Sequence, residues 1–128
     1  MQPASIFIVE DEAIVSKDLS ETLINLGYSV AGTAKNSETA IEKITDTKPD
    51  LVLMDIKMPE MDGITATTVI RTLRPENGPK IVAITAYALE GDREKCLEAG
   101  MDDYISKPVQ VKELSAILKK YSVLGVPV

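Results

Sequence analysis

The sequence predicts an α/β domain of the doubly wound (βα)5 type, a five-stranded parallel sheet with helices on both faces. Three observations lead there. Short apolar runs of strand length alternate with segments of helical spacing from one end of the chain to the other. The strongest runs are apolar almost without interruption, as strands covered on both faces are. The residues able to do chemistry fall at the ends of those runs, where open α/β sheets gather function. With 128 residues, 45% of them hydrophobic and 27% charged, the chain has the size of one domain and buries enough surface to fold without a metal or disulfide staple.

The first strand spans Ser5 to Val9, and Val15, Leu19, Leu23 and Leu26 mark the helix after it, ended by Gly27. A weaker strand follows from Ser29 to Ala34. Ala40, Ile41 and Ile44 mark the second helix, opened by Asn36 or Ser37 and stopped before Pro49. Leu51 to Met54 is the third strand, and Ala66, Val69, Ile70 and Leu73 give the third helix before Pro75. Lys80 to Thr85 is the fourth strand, followed by a helix through Arg93, Cys96 and Leu97 that ends before Gly100. Tyr104 to Ser106 is the fifth, and Leu114, Ile117, Leu118 and Tyr121 line the last helix. Strict alternation implies right-handed crossovers and a parallel sheet. Residues 1–128 are expected to form a single domain with its core at about 4–121, and 122–128 read as a tail or truncated linker.

Composition excludes much. The chain has no histidine and one cysteine, Cys96, which removes Ser/His/Asp and Cys/His catalysis, most zinc chemistry and an internal disulfide. A net charge of -6 without a dense basic cluster argues against direct nucleic-acid binding. No stretch reaches the length of a membrane span and the N-terminus lacks the pattern of a signal peptide, so no membrane contact and a cytoplasmic location are expected.

At the strand ends lie Glu10-Asp11-Glu12, Asp55, Thr85-Ala86 and Lys107-Pro108. Singly each has a bland reading: Asp11 or Glu12 as a helix cap, Thr85 as an ordinary strand residue, Lys107 as a solvated lysine. Together they make a site. Glu10, Asp11 and Asp55 would repel one another unless a cation intervenes, and Mg2+, which favours carboxylate and phosphate oxygens and keeps several waters, suits the cluster, with Mn2+ as a substitute. Three carboxylates, one lysine and one divalent cation sum to zero charge, leaving room for a phosphoryl group whose oxygens Lys107 and the Thr85 hydroxyl would meet. Asp55, at the end of the central strand, is the best nucleophile, and attack by it on phosphorus gives an acyl phosphate.

These residues sit in the stretches Ile8-Val9-Glu10-Asp11-Glu12, Met54-Asp55-Ile56-Lys57-Met58-Pro59-Glu60-Met61-Asp62-Gly63, Ile84-Thr85-Ala86 and Asp103-Tyr104-Ile105-Ser106-Lys107-Pro108. In them the chain resembles the receiver domain of two-component response regulators, a flavodoxin-like fold, over residues 4 to 121; the stretch from Ala88 to Tyr104 looks more like receivers of hybrid sensor kinases than like those attached to DNA-binding output domains. The resemblance implies that Asp55 is the phosphoacceptor, that Glu10, Asp11, Asp55 and the backbone carbonyl of Lys57 surround Mg2+, and that Thr85 and Lys107 bind the phosphoryl group. It further implies that Ala86 keeps the approach open, that Tyr104 swings inward on switching, and that Pro108 follows a cis peptide. Lys57 and Tyr87, each two residues past a site residue, would tune the lifetime of the acyl phosphate. Glu10 stands where the family more often has Asp, a longer reach that would meet the metal through water.

The implied function is a phosphorelay switch, not an enzyme acting on an external substrate. A histidine kinase or histidine phosphotransfer domain would donate the phosphoryl group, the surface of the fourth helix, fifth strand and fifth helix would shift, and autodephosphorylation would reset it. That surface would engage a downstream output domain or protein, with a phosphorylation-dependent dimer as a further partner. Three rivals are weaker. A dehalogenase-like phosphatase would need Asp-x-Asp where Asp55-Ile56-Lys57 stands, a flavin carrier would need a phosphate-cradling loop after the first strand, and a pseudo-receiver would not need the full acidic set with Thr85 and Lys107.

Overall fold

The computed structural model of the chain describes residues 5–56, 63–73, 79–85, 94, 97–107 and 109–125. Among them five strands, β1 (Ser5–Val9), β2 (Ser29–Ala34), β3 (Leu51–Asp55), β4 (Lys80–Thr85) and β5 (Asp103–Ser106), form one parallel sheet in the order β2-β1-β3-β4-β5. The helices are α1 (Ala13–Asn25), α2 (Ser37–Thr47), α3 (Gly63–Leu73) and α5 (Val111–Gly125). Between β4 and β5 the described residues 94 and 97–99 are helical and are labelled α4. The doubly wound expectation therefore holds.

Two apolar layers sandwich the sheet, and side-chain alternation along the strands assigns each residue to one of them. Ile6 and Ile8 of β1, Leu51 and Leu53 of β3, Val82 and Ile84 of β4 and Ile105 of β5 pack with Leu19 and Leu23 of α1 and Leu114 and Leu118 of α5. The intervening residues Phe7, Val9, Val52, Met54, Ile81 and Ala83 face the other way, onto Ala40 and Ile44 of α2 and Ala66 and Ile70 of α3. Both strand faces are buried, which is why β1, β3 and β4 read as unbroken apolar runs.

The order of the sheet creates the crevice. The chain moves from β1 outward to β2, then returns across β1 to β3 and continues the other way, so the connections leaving β1 and β3 diverge at their carboxyl ends. Register keeps those ends level: Val9 lies beside Met54, and Asp55 beside Ile84.

Local chemistry explains the element boundaries. Asn36 caps α2 through its side chain, which accepts from the Thr39 N–H at 2.9 Å, and Ser37 is the first residue of that helix. The helix ends at Thr47, and its C-cap Lys48, directly before Pro49, is left-handed with φ 48. Glu12 occupies the N-cap of α1 but makes no side-chain capping bond, so neither it nor Asp11 is spent on the helix. β5 begins at Asp103, one residue ahead of expectation, and α5 continues to Gly125, into the stretch expected to be a tail.

Candidate functional site

Each acidic residue of the site is delivered by the end of a strand. Glu10 directly follows β1 and is tied to the neighbouring strand end by its N–H, which donates to the Ala34 carbonyl at 3.0 Å. Asp55 is the last residue of β3, and the N–H of Ile56 donates to the Ile84 carbonyl at 3.2 Å. Asp11 stands on the turn into α1. Glu10 and Asp55 are buried, at 1% and 3% exposure, whereas Asp11 is exposed. Ligand-capable oxygens of the three carboxylates all lie within 4.8 Å of one another.

Lys107, just past β5, reaches into this cluster. Its Nζ lies 2.9 Å from Glu10 Oε1 and 3.5 Å from Asp55 Oδ2. Burial works against both charges, but the neighbours outweigh it. Around Glu10, Asp55, Lys107, Asp11 and the Glu12 N–H together hold the carboxyl below its ordinary 4.5. Around Lys107, contact with Glu10 and the charge of Asp55 hold the ammonium above its ordinary 10.5. Both groups are charged at neutral pH.

One lysine cannot balance three carboxylates, and the deficit of two charges is what a divalent cation supplies. A second observation supports the fit. Oε1 of Glu10 is the buried side-chain oxygen that, among the described residues, has no hydrogen bond; Lys107 approaches it as an ion pair outside hydrogen-bond geometry. A buried carboxylate oxygen that meets one ammonium only as an ion pair keeps lone-pair capacity for a metal ion or an ordered water. Carboxylate oxygens are also the donors a hard cation such as Mg2+ prefers. The residues present therefore fit that ion.

The remaining expectations divide by what the structure describes. Thr85 closes β4 in register with Ser106, beside the strand that carries Asp55, and its side chain lies outside the described residues. Lys57, Ala86, Tyr87 and Pro108 also lie outside them. Tyr104 on β5 is half-buried against the α2 and α3 layer. The direct pairing of Lys107 with Glu10 was not foreseen. The sequence signal for it was weak: a carboxylate and a lysine at the ends of two strands that are not neighbours in the sheet.

A family model, the response regulator receiver domain, matches residues 6–119. The chain belongs to the response regulator receiver domain family. It is 39% identical over 121 residues to hybrid signal transduction histidine kinase H of Dictyostelium discoideum, covering 92% of this chain and 9% of that kinase. This receiver domain thus spans under a tenth of that relative's length. Among solved structures it superposes with a TM-score of 0.82 on the receiver domain of sensor histidine kinase PA1611 from Pseudomonas aeruginosa, at 39% identity over 93% of this chain and 97% of the other. That structure has a magnesium ion coordinated in its active-site cleft. The TM-score is 0.91, at 27% identity, against a chain of the Saccharomyces cerevisiae co-crystal of the phosphotransfer protein Ypd1 with the Ssk1 receiver domain, covering 99% of this chain and 94% of the other. Membership places the receiver domain in two-component phosphorelay signalling, with an acidic cluster compatible with Mg2+. No helix among the described residues is long and apolar enough to cross a membrane.

Proposed function

We propose that this receiver domain is a phosphoacceptor switch in which Asp55 takes a phosphoryl group from a phosphohistidine on a partner. The observation that carries the reading is a buried carboxylate, Asp55, at an open strand edge with Lys107 at 3.5 Å and two further carboxylates beside it. An Asp55 oxygen attacks phosphorus in line, a P–O bond forms, the P–N bond breaks, and the electron pair returns to the donor's imidazole nitrogen. The chain has no histidine, so the imidazole belongs to a histidine kinase or a histidine phosphotransfer domain. The co-crystal of Ypd1 with the Ssk1 receiver supports such a partner.

Glu10, Asp11 and Asp55, with the Lys57 carbonyl, would hold Mg2+, or Mn2+ in its place. When bound, the ion neutralises charge on the phosphoryl oxygens. The magnesium in the PA1611 receiver supports that assignment. Lys107 turns from its carboxylate partners to a phosphoryl oxygen, the Thr85 hydroxyl donates to another, and Ala86 leaves the approach open. Tyr104 moves inward as Thr85 closes. Lys57 and Tyr87 tune the lifetime. Reset is attack by water on phosphorus, which releases inorganic phosphate and restores the Asp55 carboxylate. The domain thus acts only on its own phosphoryl group and is regulatory rather than an enzyme of metabolism.

Phosphorylation biases the surface of α4, β5 and α5, which an output domain, a partner protein or a second copy reads. Residues 4–121 form the signalling unit, working in the cytoplasm without nucleic-acid or membrane contact. Intact-mass measurement after incubation with acetyl phosphate and Mg2+ tests the reading. One phosphoryl group is expected on the native chain, and none with EDTA or in Asp55→Asn. No gain, together with no binding of beryllofluoride, overturns it in favour of a pseudo-receiver that binds partners unphosphorylated.

A further inference from the structure

Opposite the acidic site, at the amino edge of the sheet, one arginine fastens three segments together. Arg71, in the last turn of α3, donates from Nε to the Gly100 carbonyl at 2.9 Å, from Nη1 to the Pro79 carbonyl at 2.7 Å and from Nη2 to Asp102 Oδ2 at 2.9 Å. Those acceptors lie at the end of α4, at the entry to β4 and at the entry to β5. Asp102 Oδ2 also accepts the Ile81 N–H at 2.9 Å, and the Asp102 N–H donates to the Ile81 carbonyl at 2.8 Å. The planar guanidinium binds the three acceptors from three different nitrogens held in one fixed plane.

Gly100 is shaped for this clamp. Its φ is +108, and a Cβ built there would stand 2.8 Å from Arg71 Cγ, so a side chain would both strain the backbone and displace the arginine. Met101, next in the chain, is buried in the α2 and α3 layer. From the other side α5 grips the same junction. The Tyr121 hydroxyl donates to the Asp102 carbonyl at 2.9 Å and lies 3.1 Å from Asp103 Oδ2, and Lys120 Nζ lies 3.4 Å from that carboxylate.

The junction 100–103 is therefore held by α3 on one side and α5 on the other. α3 is the helix between β3 and β4 in the chain and runs about 12 Å from Gly63 to Arg71, at 1.5 Å per residue. Connecting the carboxyl end of β3 to the amino end of β4, it starts on the acceptor side of the sheet, and its last turn holds the junction.

We propose that Arg71 is a positioning residue of the switch, coupling the acceptor edge through α3 to the junction 100–103 and from there to α5. The inference rests on the phosphoacceptor reading above, and it assigns the relay to a contact at the far edge of the sheet from Asp55. Such coupling requires that α3 and the junction take two arrangements whose balance the acceptor site shifts.

Backbone amide NMR spectra of the native chain and of Arg71→Met, with and without beryllofluoride and Mg2+, test it. In the native chain, shifts are expected both at the site, around Glu10, Asp55 and Lys107, and remotely, at residues 100–103 and along α5. In Arg71→Met the site shifts and the beryllofluoride affinity are expected to stay within about twofold of native, while the remote shifts shrink at least threefold. A merely structural role would lower stability without separating the two sets. Remote shifts of native size in Arg71→Met overturn the proposal, as does a parallel loss of site and remote shifts. Should Arg71→Met fail to fold, Asp102→Asn, which keeps the shape but opposes an amide to the guanidinium, is held to the same criterion. Absence of site shifts in the native chain overturns the phosphoacceptor reading itself, and this proposal with it.

Discussion

Lys107 answers two carboxylates at once, and its removal isolates a charge that the fold has buried. Glu10 is 1% exposed, and Lys107 approaches its Oε1 to 2.9 Å. Lys107→Met is expected to cost about 1–3 kcal/mol at neutral pH, the range for a buried polar group left without its partner. The pH dependence follows from the directions of the shifts. Glu10 titrates below 4.5 in the folded chain, so its contribution is present above 4.5 and lost as pH falls through the lower folded value. Lys107 titrates above 10.5, so its contribution is complete below 10.5 and lost as pH rises through the higher folded value. Urea unfolding of native and Lys107→Met should therefore show a gap that is wide at pH 7 and narrows in acid. A gap that stays constant into acid would mean that Glu10 does not depend on Lys107.

At the scale of single elements, two backbone positions make opposite demands on glycine. Lys48 ends α2 with φ 48, a conformation that costs a side-chain-bearing residue roughly 1–2 kcal/mol and glycine little. Lys48→Gly is expected to stabilise the chain by about 1 kcal/mol, read as a higher urea midpoint; an unchanged or lower midpoint would refute it. Gly32 in β2 is constrained by space instead. The β1–β2 register slips between Ile6 and Phe7, setting Phe7 opposite Gly32, and a Cβ there would stand 2.9 Å from Phe7 Cε2. The Phe7 ring is fully buried and has no free direction in which to yield. Gly32→Ala is expected to destabilise by about 1–3 kcal/mol, as overpacking does, and denaturant unfolding would show it. The same residue type is thus absent where the backbone would welcome it and present where packing requires it.

At the scale of the whole molecule, the strand order brings the ends of β1 and β3 together and concentrates negative charge in one crevice. A ligand that binds only the folded crevice stabilises the entire domain. Mg2+ at 100 times its dissociation constant is expected to add about 2.7 kcal/mol by mass action, seen as a rise in melting temperature that EDTA reverses. The rise should shrink in Asp11→Asn, which removes an exposed member of the cluster without touching the core. A rise of equal size in that variant would place the ion elsewhere.

Much of the fold was legible because its signals are local. Uninterrupted apolar runs report strands buried on both faces, a period of 3.6 reports helices, and their strict alternation determines a parallel, doubly wound sheet. The candidate site was legible for a related reason: in such sheets the residues after each strand share one edge, so Glu10, Asp11, Asp55 and Lys107 could be grouped before any strand was placed beside another. Left-handed Lys48 gave no such signal, because glycine or asparagine is what marks that conformation. The pairing of Lys107 with Asp55, 52 residues away, and of Arg71 with Asp102, 31 residues away, belongs to the tertiary structure alone. Local periodicity records which face a side chain takes, whereas an ion pair across a sheet depends on strand order and register, and only the packed molecule sets those.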